Sequence, residues 1–384
     1  MPIKEYSIPI IITLAAVVFL SVYSIRPYAY NFSAMIRISK TENPGPVQKY
    51  FQKGMVVFGD KGGYDGQAYY LAAMDPFMSE GVYKDAYRQQ RILYPVAARV
   101  LALGNAQWLP YSMFLVNIIA LGAGMVFFIA ILRHYGASSY WSFFYGLAPP
   151  SIMTIQYDLP SPLSIALIVS AVYFYVVKKS LVVTAVFMAL AFLTREDSVM
   201  ALIPMLVWDY QKEKKFSRIA VLLSALVPFF LWQFFIAYRL GDLPAGASAT
   251  VINPIPFYGI VSYFGGVEFS GVRDFFKILS CFVVLIFFAV TAVAGAAALR
   301  EKRAFFLYVV AAYVLLVPFT VSSQWDNFNG LLRMFYGIFP FLVLSFAAYK
   351  GGKLKPCVYA IAFLSFLTLV RVLFVSPVYP FEIW

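Results

Sequence analysis

Residues 109–132 read LPYSMFLVNIIALGAGMVFFIAIL, a stretch without a single charged side chain. An α-helix rises about 1.5 Å per residue, so about 20 apolar residues cross a hydrocarbon core about 30 Å thick. In lipid the backbone has no water to bond with, and a helix satisfies its own N–H and C=O groups. The stretch therefore predicts a transmembrane helix.

The same pattern recurs along the whole chain. Apolar residues make up 62% of the 384 residues and charged residues 12%, against roughly 45–50% and about 25% in soluble domains. We therefore predict an all-α fold, a polytopic transmembrane helical bundle that forms a single domain over residues 1–384. The predicted spans number about eleven, at residues 8–23, 109–132, 141–155, 163–177, 181–193, 198–208, 219–238, 278–299, 304–320, 334–349 and 357–375. Two long connections remain, a large first loop over residues 26–108 and a second loop over residues 239–277.

Short basic connections predict the orientation of this bundle. Lys and Arg cluster at residues 133, 178–179, 212–218, 300–303 and 350–355, which fall on one side together with Lys4. Because such clusters mark the cytoplasmic side, we expect a cytoplasmic N-terminus, with both long loops and the C-terminus on the outer face. A multi-pass protein of the bacterial inner membrane fits this pattern. The net charge of +12 follows the same clusters, so it does not indicate nucleic acid as a partner.

One pair of basic clusters predicts a hairpin. Residues 178–179 and 212–215 are separated by only about 30 residues, and one helix between them would put them on opposite sides. The charged sequence TRED at residues 194–197 interrupts the apolar run between them. We therefore predict two short helices with residues 194–197 at the tip. Charges are costly in lipid, so we expect the tip to line a water-filled cavity.

The sequence offers few residues for metal or disulfide chemistry. Cys281 and Cys357 both lie within apolar runs, as is typical of buried cysteines. His134 is the one histidine, and it follows Arg133 at the end of an apolar run, where an interfacial side chain is expected. We predict no metal site and no cofactor.

The first loop carries the sequence GDKGGYDGQAYY at residues 59–70. Asp65 lies where a helix is expected to begin, so one interpretation is an N-cap that accepts the first free amides. The other is a general base, since a carboxylate among glycines and tyrosines suits the deprotonation of a sugar hydroxyl. Nearby side chains would then line the substrate: Tyr64, Gln67, Tyr69 and Tyr94.

Other charged residues are expected on the same face. Asp75 precedes a proline and is a weaker candidate, with ordinary capping as the alternative. Asp158 either caps the following span or serves as a second acid. Arg91, Arg195 and Arg333 are expected near the outer headgroup level, and Arg195 and Arg333 stand in stretches with few charges. An arginine fork binds phosphate in a bidentate manner, whereas snorkelling to lipid phosphates is the alternative.

These motifs together resemble the GT-C superfamily, membrane glycosyltransferases that use polyprenyl-phosphate-linked sugars. The sequence YDGQ at residues 64–67 looks like the first-loop motif of bacterial mannosyltransferase-like members and of the GPI mannosyltransferases. RILYP at residues 91–95, LTRE at 193–196, and Arg333 with the following Phe339-Pro340 resemble later elements. The resemblance implies a GT-C-like fold with Asp65 as the catalytic base.

The expected function is an inverting glycosyltransferase at the outer membrane face, in cell-envelope glycan biosynthesis. It would move a sugar from a polyprenyl-phosphate donor to a hydroxyl of a glycan, a lipid or a cell-envelope polymer. The expected partners are this lipid-linked donor, the glycan or lipid acceptor, and membrane lipids. Two alternatives stay open: a transporter or flippase of lipid-linked or small polar substrates, and a non-catalytic membrane assembly protein.

Overall fold

The computed structural model describes residues 3–43, 45–59, 62–244, 252–267, 271–301, 304–326, 328–375 and 378–384. Parts of the second predicted loop, residues 245–251 and 268–270, lie outside this description, as do residues 302–303 of one basic cluster. Helix dominates what is described, and the strands are two short ones. The all-α class is therefore confirmed.

The helices are distributed along the whole chain. The first half contains α1 (Ile3–Ser24), α2 (Ser33–Ile36), α3 (Gly45–Gln48), α4 (Gly66–Met74), α5 (Ala86–Gln89), α6 (Leu93–Leu101), α7 (Leu109–His134), α8 (Phe143–Gly146), α9 (Pro149–Gln156), α10 (Ser161–Val176) and α11 (Leu181–Thr194). The second half contains α12 (Val199–Glu213), α13 (Phe216–Leu223), α14 (Val227–Leu240), α15 (Tyr258–Gly266), α16 (Val272–Glu301), α17 (Phe305–Leu316), α18 (Ser322–Trp325), α19 (Phe328–Met334), α20 (Ile338–Tyr349) and α21 (Lys355–Val370). The strands are β1 (Val56–Phe58) and β2 (Phe381–Ile383).

Several helices are long and apolar enough to cross a membrane. Within the described ranges there are five, at Glu5–Ser24, Ala106–His134, Phe216–Leu240, Asp274–Glu301 and Gly352–Val375. A sixth is formed if α19 and α20, which meet at a bend of 50°, count as one span. Shorter apolar helices lie at Ser161–Val176, Leu181–Thr194 and Phe305–Phe319. The protein is thus a helical membrane protein, and the count of eleven spans stays a prediction.

One predicted span is interrupted. The stretch at residues 141–155 contains α8 and α9 instead of one helix, and the break lies at Ala148-Pro149-Pro150. The residue before a proline is sterically driven out of the α region, and Ala148 has φ −58° and ψ 148°. The two prolines therefore restart the helix at Pro149.

The first loop and the C-terminal segment fold together at one end of the bundle. In the loop, β1 pairs antiparallel with β2, so that Val56 faces Ile383. Helices α4 and α6 pack on each other and on α7, and they bury tyrosines such as Tyr69, Tyr70 and Tyr94. We call this end, with residues 26–108 and the strand β2, the loop end.

The opposite end collects the basic connections. Tyr175 Oη lies 3.3 Å from Asp209 Oδ1, and Lys179 and Lys212 line one cavity there. The two basic clusters on either side of the predicted hairpin therefore lie on one side of the bundle. Between them the chain forms α11, a short turn of 3-10 helix at Glu196–Ser198, and α12, as the hairpin prediction required.

Candidate functional site

Asp65 lies at the first residue before α4, but it does not cap the helix. Its backbone is helical, with φ −57° and ψ −22°, and its side chain accepts no helix N–H. The carboxylate instead pairs with two arginines from distant parts of the chain. Arg88 Nη2 lies 2.8 Å from Oδ1 and Arg333 Nη1 lies 2.7 Å from Oδ2. Of the two interpretations of Asp65, the N-cap is wrong.

Glycine after Asp65 permits the close packing that positions this carboxylate. A Cβ on Gly66 would come within 2.5 Å of the backbone oxygen of Tyr157 and 2.7 Å of that of Ile36. Real Cβ atoms do not approach so closely, and backbone cannot move aside as a flexible side chain can. The start of α4 is thereby pressed against two other segments of the loop end.

The two arginines reach Asp65 from different elements. Arg88 belongs to α5, whose N-cap Asp85 accepts the backbone N–H of Arg88 at 3.1 Å. The same Asp85 holds the Arg88 guanidinium through Nη1 at 2.6 Å. Arg333 is in the last turn of α19, and its guanidinium lies 5.4 Å from the ring centre of Tyr64. The Tyr64 ring is in turn 4.7 Å from that of Tyr157.

Electrostatics keep Asp65 ionised. Burial alone would raise its pKa, but the positive charges of Arg333 and Arg88 outweigh burial and hold the pKa well below its ordinary value. About one fifth of the side chain remains exposed, at 19%. Asp65 is therefore a charged, reachable carboxylate, but a weak base for as long as both arginines are bound to it.

Arg91 joins the first loop to the turn between α11 and α12. Its Nε donates to Glu196 Oε2 at 2.9 Å, and its other nitrogens donate to the hydroxyls of Tyr69 and Tyr87 at 2.8 Å each. Tyr87 also donates to Glu196 Oε1 at 3.1 Å. Arg91 is buried, so this network ties two segments that are about 100 residues apart in the chain.

Arg195 is also engaged by protein groups. It donates to both carboxylate oxygens of Asp197, with distances of 2.8 and 3.1 Å, and to Ser161 Oγ at 2.7 Å. The turn is thus buried against α10 and the loop end. The four guanidinium groups of the region are matched by four carboxylates, in the pairs Arg88–Asp65, Arg88–Asp85, Arg333–Asp65, Arg91–Glu196 and Arg195–Asp197.

Two residues expected to line the substrate are bonded inside the loop end. Gln67 Oε1 accepts from the Ser39 backbone N–H at 2.9 Å and from Asn43 Nδ2 at 2.7 Å, while its amide nitrogen donates to Glu42. Tyr94 is fully buried, and its hydroxyl accepts from Asn117 and donates to the Met113 carbonyl. In the structure, Gln67 and Tyr94 hold the loop end together.

The other two aspartates differ from Asp65 in their surroundings. Asp75 accepts from the backbone N–H groups of Ser79 and Glu80 at 2.8 Å each, so it organises the turn after α4. Asp158 is fully buried and does not cap α10, whose N-cap is Pro160. Among the described residues neither of its carboxylate oxygens has a hydrogen-bond partner, and burial raises its pKa well above the ordinary value. Burial therefore favours the neutral form of Asp158, since an ionised carboxylate there would be unpaired.

Metal ligands do not gather at this site. Across the described part of the chain, no group of three His, Cys, Asp or Glu side chains could hold a metal ion. The charged partners of Asp65 are Arg88 and Arg333. Guanidinium groups bind anions, either this carboxylate or a phosphate.

Arg88 and Glu196 are the site residues that the sequence did not single out. Arg88 stands in a loop with many other basic residues, although its spacing from Asp85 is that of an N-cap and the third helical residue. Glu196 was named only within the sequences TRED and LTRE and was given no role of its own.

No protein-family model, no curated protein and no solved structure matches this chain.

Proposed function

We propose that the protein is an inverting glycosyltransferase that moves a sugar from a polyprenyl-phosphate donor to an acceptor hydroxyl, with Asp65 as the general base. The observation that carries the proposal is the ionised, partly exposed Asp65 carboxylate between Arg88 and Arg333. A carboxylate next to guanidinium groups provides one group that accepts a proton and others that bind a phosphate.

The proposed reaction balances as follows. The acceptor oxygen attacks the anomeric carbon while Asp65 takes its proton, and the bond from that carbon to the phosphate oxygen breaks. The phosphate leaves with the electron pair of that bond, and Asp65 ends protonated. Since a phosphate monoester is a good leaving group, no general acid is needed.

Arg333 gives this reaction a means of control. While it is bound to Asp65, the carboxylate is a weak base. Arg333 gives one hydrogen bond to Asp65, and an arriving phosphate competes with Asp65 for the position of the same guanidinium. As Arg333 turns to the phosphate, the pKa of Asp65 rises towards that of a useful base. Donor binding and base activation are then one event.

The topology predicted from the sequence completes the proposal. It has about eleven spans in a GT-C-like arrangement, with the loop end on the periplasmic or extracellular side of a bacterial inner membrane. The Arg91–Glu196 pair ties the first loop to the turn between α11 and α12, and the Arg195–Asp197 pair lies within that turn. In this proposal they position Asp65 and Arg333 and leave the phosphate to Arg333.

The two alternative functions, a transporter and a non-catalytic assembly protein, predict different places and roles for the ion pairs. A transporter is expected to bind its substrate near the middle of the membrane, whereas the ion pairs of Asp65 and Glu196 lie at the loop end. In a non-catalytic assembly protein the Asp65 pairs would only tie α4, α5 and α19 together. An activity measurement on one substitution separates these cases.

The test is transfer of labelled sugar from a panel of polyprenyl-phosphate sugars by the purified protein. Asp65→Asn keeps the side-chain shape and one oxygen for Arg88 or Arg333, but it cannot accept a proton, so we expect a loss of roughly 10²–10⁴-fold. Asp242→Asn, at an exposed aspartate, is the matched control and should transfer normally. Full activity of the Asp65 variant, with unchanged thermal stability, would refute the proposal.

A further inference from the structure

The helix α14 reaches the Asp65 site from the outside of the bundle. It forms the second half of the candidate membrane span Phe216–Leu240. Ile236 is the one buried residue of α14 among those that the structure describes, so most of the helix surface is open. On its inner side α14 packs on α5, the four-residue helix that carries Arg88.

Two side chains of α14 donate hydrogen bonds to the end of α5. Trp232 Nε1 donates to the backbone oxygen of Gln89 at 2.9 Å. The next residue, Gln233, donates from Nε2 to Gln90 Oε1 at 3.2 Å. Both acceptors are buried residues, and both directly follow Arg88 in the chain.

Helix α5 needs such anchors because it is a single turn. Helices of this length are not stable alone, and the last C=O groups of a helix have no partner within it. Asp85 caps the start of α5, and Trp232 satisfies the carbonyl of Gln89 at its end. Arg88 lies between these two anchors, and its guanidinium reaches Asp65 at 2.8 Å from there.

The indole of Trp232 is itself held in place by packing. Its ring centre lies 5.0 Å from that of Phe235 and 6.4 Å from that of Phe77. Beside it, Ile236 packs in one apolar cluster with Ala86 of α5. The donor N–H is therefore fixed in direction before α5 binds to it.

We propose that Trp232 is a positioning residue of the Asp65 site, which fixes the end of α5 and thereby keeps the Arg88 guanidinium on the Asp65 carboxylate. A membrane span that lies mostly outside the bundle then contributes to the charge balance of the site. The positioning itself depends on these contacts alone, whereas its effect on sugar transfer rests on the function proposed for Asp65.

The test is a double-mutant cycle between Trp232→Phe and Arg88→Gln, measured by thermal unfolding of the full-length protein in detergent micelles. Phenylalanine keeps a ring against Phe77 and Phe235 but has no N–H donor. We expect Trp232→Phe to lower the midpoint of unfolding by about 2 °C or more. The lowering should be at most about half as large when Arg88 is already replaced, because part of the loss is the weakened Arg88–Asp65 pair.

Arg239→Met is the matched control. Arg239 lies on the same helix and donates from Nη2 to the Met78 oxygen at 2.8 Å, in the turn after α4, so this contact does not involve α5. Methionine keeps an apolar stem without a donor, and the lowering that it causes should be equal with and without Arg88. If Trp232→Phe does not fold, Gln233→Met, which removes the donor to Gln90, takes its place in the cycle.

Equal lowering by Trp232→Phe in both backgrounds, or no lowering at all, would overturn the proposal, because Trp232 would then not act through Arg88. A second measurement is kcat/KM for sugar transfer against pH, in which Trp232→Phe should move the acid limb to higher pH, less far than Arg88→Gln does. A shift in Arg88→Gln without one in Trp232→Phe would overturn the positioning and leave the glycosyltransferase proposal intact. Absence of transfer by the wild type would refute that function, and the unfolding cycle would still decide the role of Trp232.

Discussion

Removal of Arg88 should move the pH dependence of the protein in a direction that the Asp65 geometry dictates. Arg88 donates to Asp65 at 2.8 Å, and Arg333 does so at 2.7 Å from the other side. An opposite charge at such a distance lowers the pKa of a carboxyl by about 1–3 units. Because the Arg88 side chain is about one third exposed, at 35%, solvent screening favours the lower part of that range.

The substitution is Arg88→Gln, and the expected rise in the pKa of Asp65 is about 1–2 units, or roughly 1.4–2.7 kcal/mol. The sign follows from the role of the group. A general base works when deprotonated, so activity falls as the pH falls through its pKa. In wild type this pKa is well below its ordinary value, and the rate should be level down to mildly acidic pH. In the variant the acid limb should move to higher pH.

The assay is kcat/KM for sugar transfer as a function of pH, on folded preparations of both proteins. Asp85→Asn is the matched control. It removes the other carboxylate of Arg88 but leaves the Arg88–Asp65 pair, and asparagine caps α5 about as well as aspartate. Its profile should follow that of wild type. Coincident profiles for wild type and active Arg88→Gln would mean that Asp65 is not the titrating base, and the reasoning would fail.

Three further predictions concern the fold. Single cysteines at Ser79 and Lys353, without the native pair, should label from opposite sides of intact cells, and labelling of both from outside would contradict the predicted topology. Gly66→Ala should lower the free energy of unfolding by about 1–3 kcal/mol, because its Cβ would meet backbone oxygens. Gly59→Ala is the control, since a Cβ there meets nothing within 4 Å, and it should leave the free energy of unfolding unchanged. Asp158→Asn should leave the stability at pH 7 within about 1 kcal/mol of wild type, because a buried neutral carboxyl and an amide are alike in charge; a large loss measured by thermal unfolding would mean that Asp158 is ionised.

Part of the site could be predicted from the sequence because some charged residues stand among residues of unusual composition. Asp65 stands among glycines and tyrosines, and Arg333 stands in a stretch with few charges. Both were singled out, and the structure joins them at 2.7 Å. Arg91 and Arg195 were singled out as well, yet each is bound by a carboxylate. A residue type shows what a side chain can bind, but its neighbours show what it binds already.

Arg88 could not be found in this way, because its sequence surroundings are ordinary. Glu196 stands in the conspicuous sequence TRED, but its pairing with Arg91 could not be found either, since the two residues are far apart in the chain. Arg91 meets Glu196 across 105 residues, and Asp65 meets Arg333 across 268. Such pairs depend on how helices pack, and packing follows from shapes along whole helix faces that local periodicity does not describe.

The membrane character and the all-α class could therefore be predicted from the sequence alone. Both depend on the length of single apolar runs and on backbone hydrogen bonds within each run. The break at Ala148-Pro149-Pro150 was also local in origin, since it depends on steric contacts between adjacent residues. Which charges neutralise one another was settled only when α4, α5, α19 and the turn after α11 came together at the loop end. Charge pairing acts through space over a few ångströms, so its outcome depends on the folded arrangement and not on the distance along the chain.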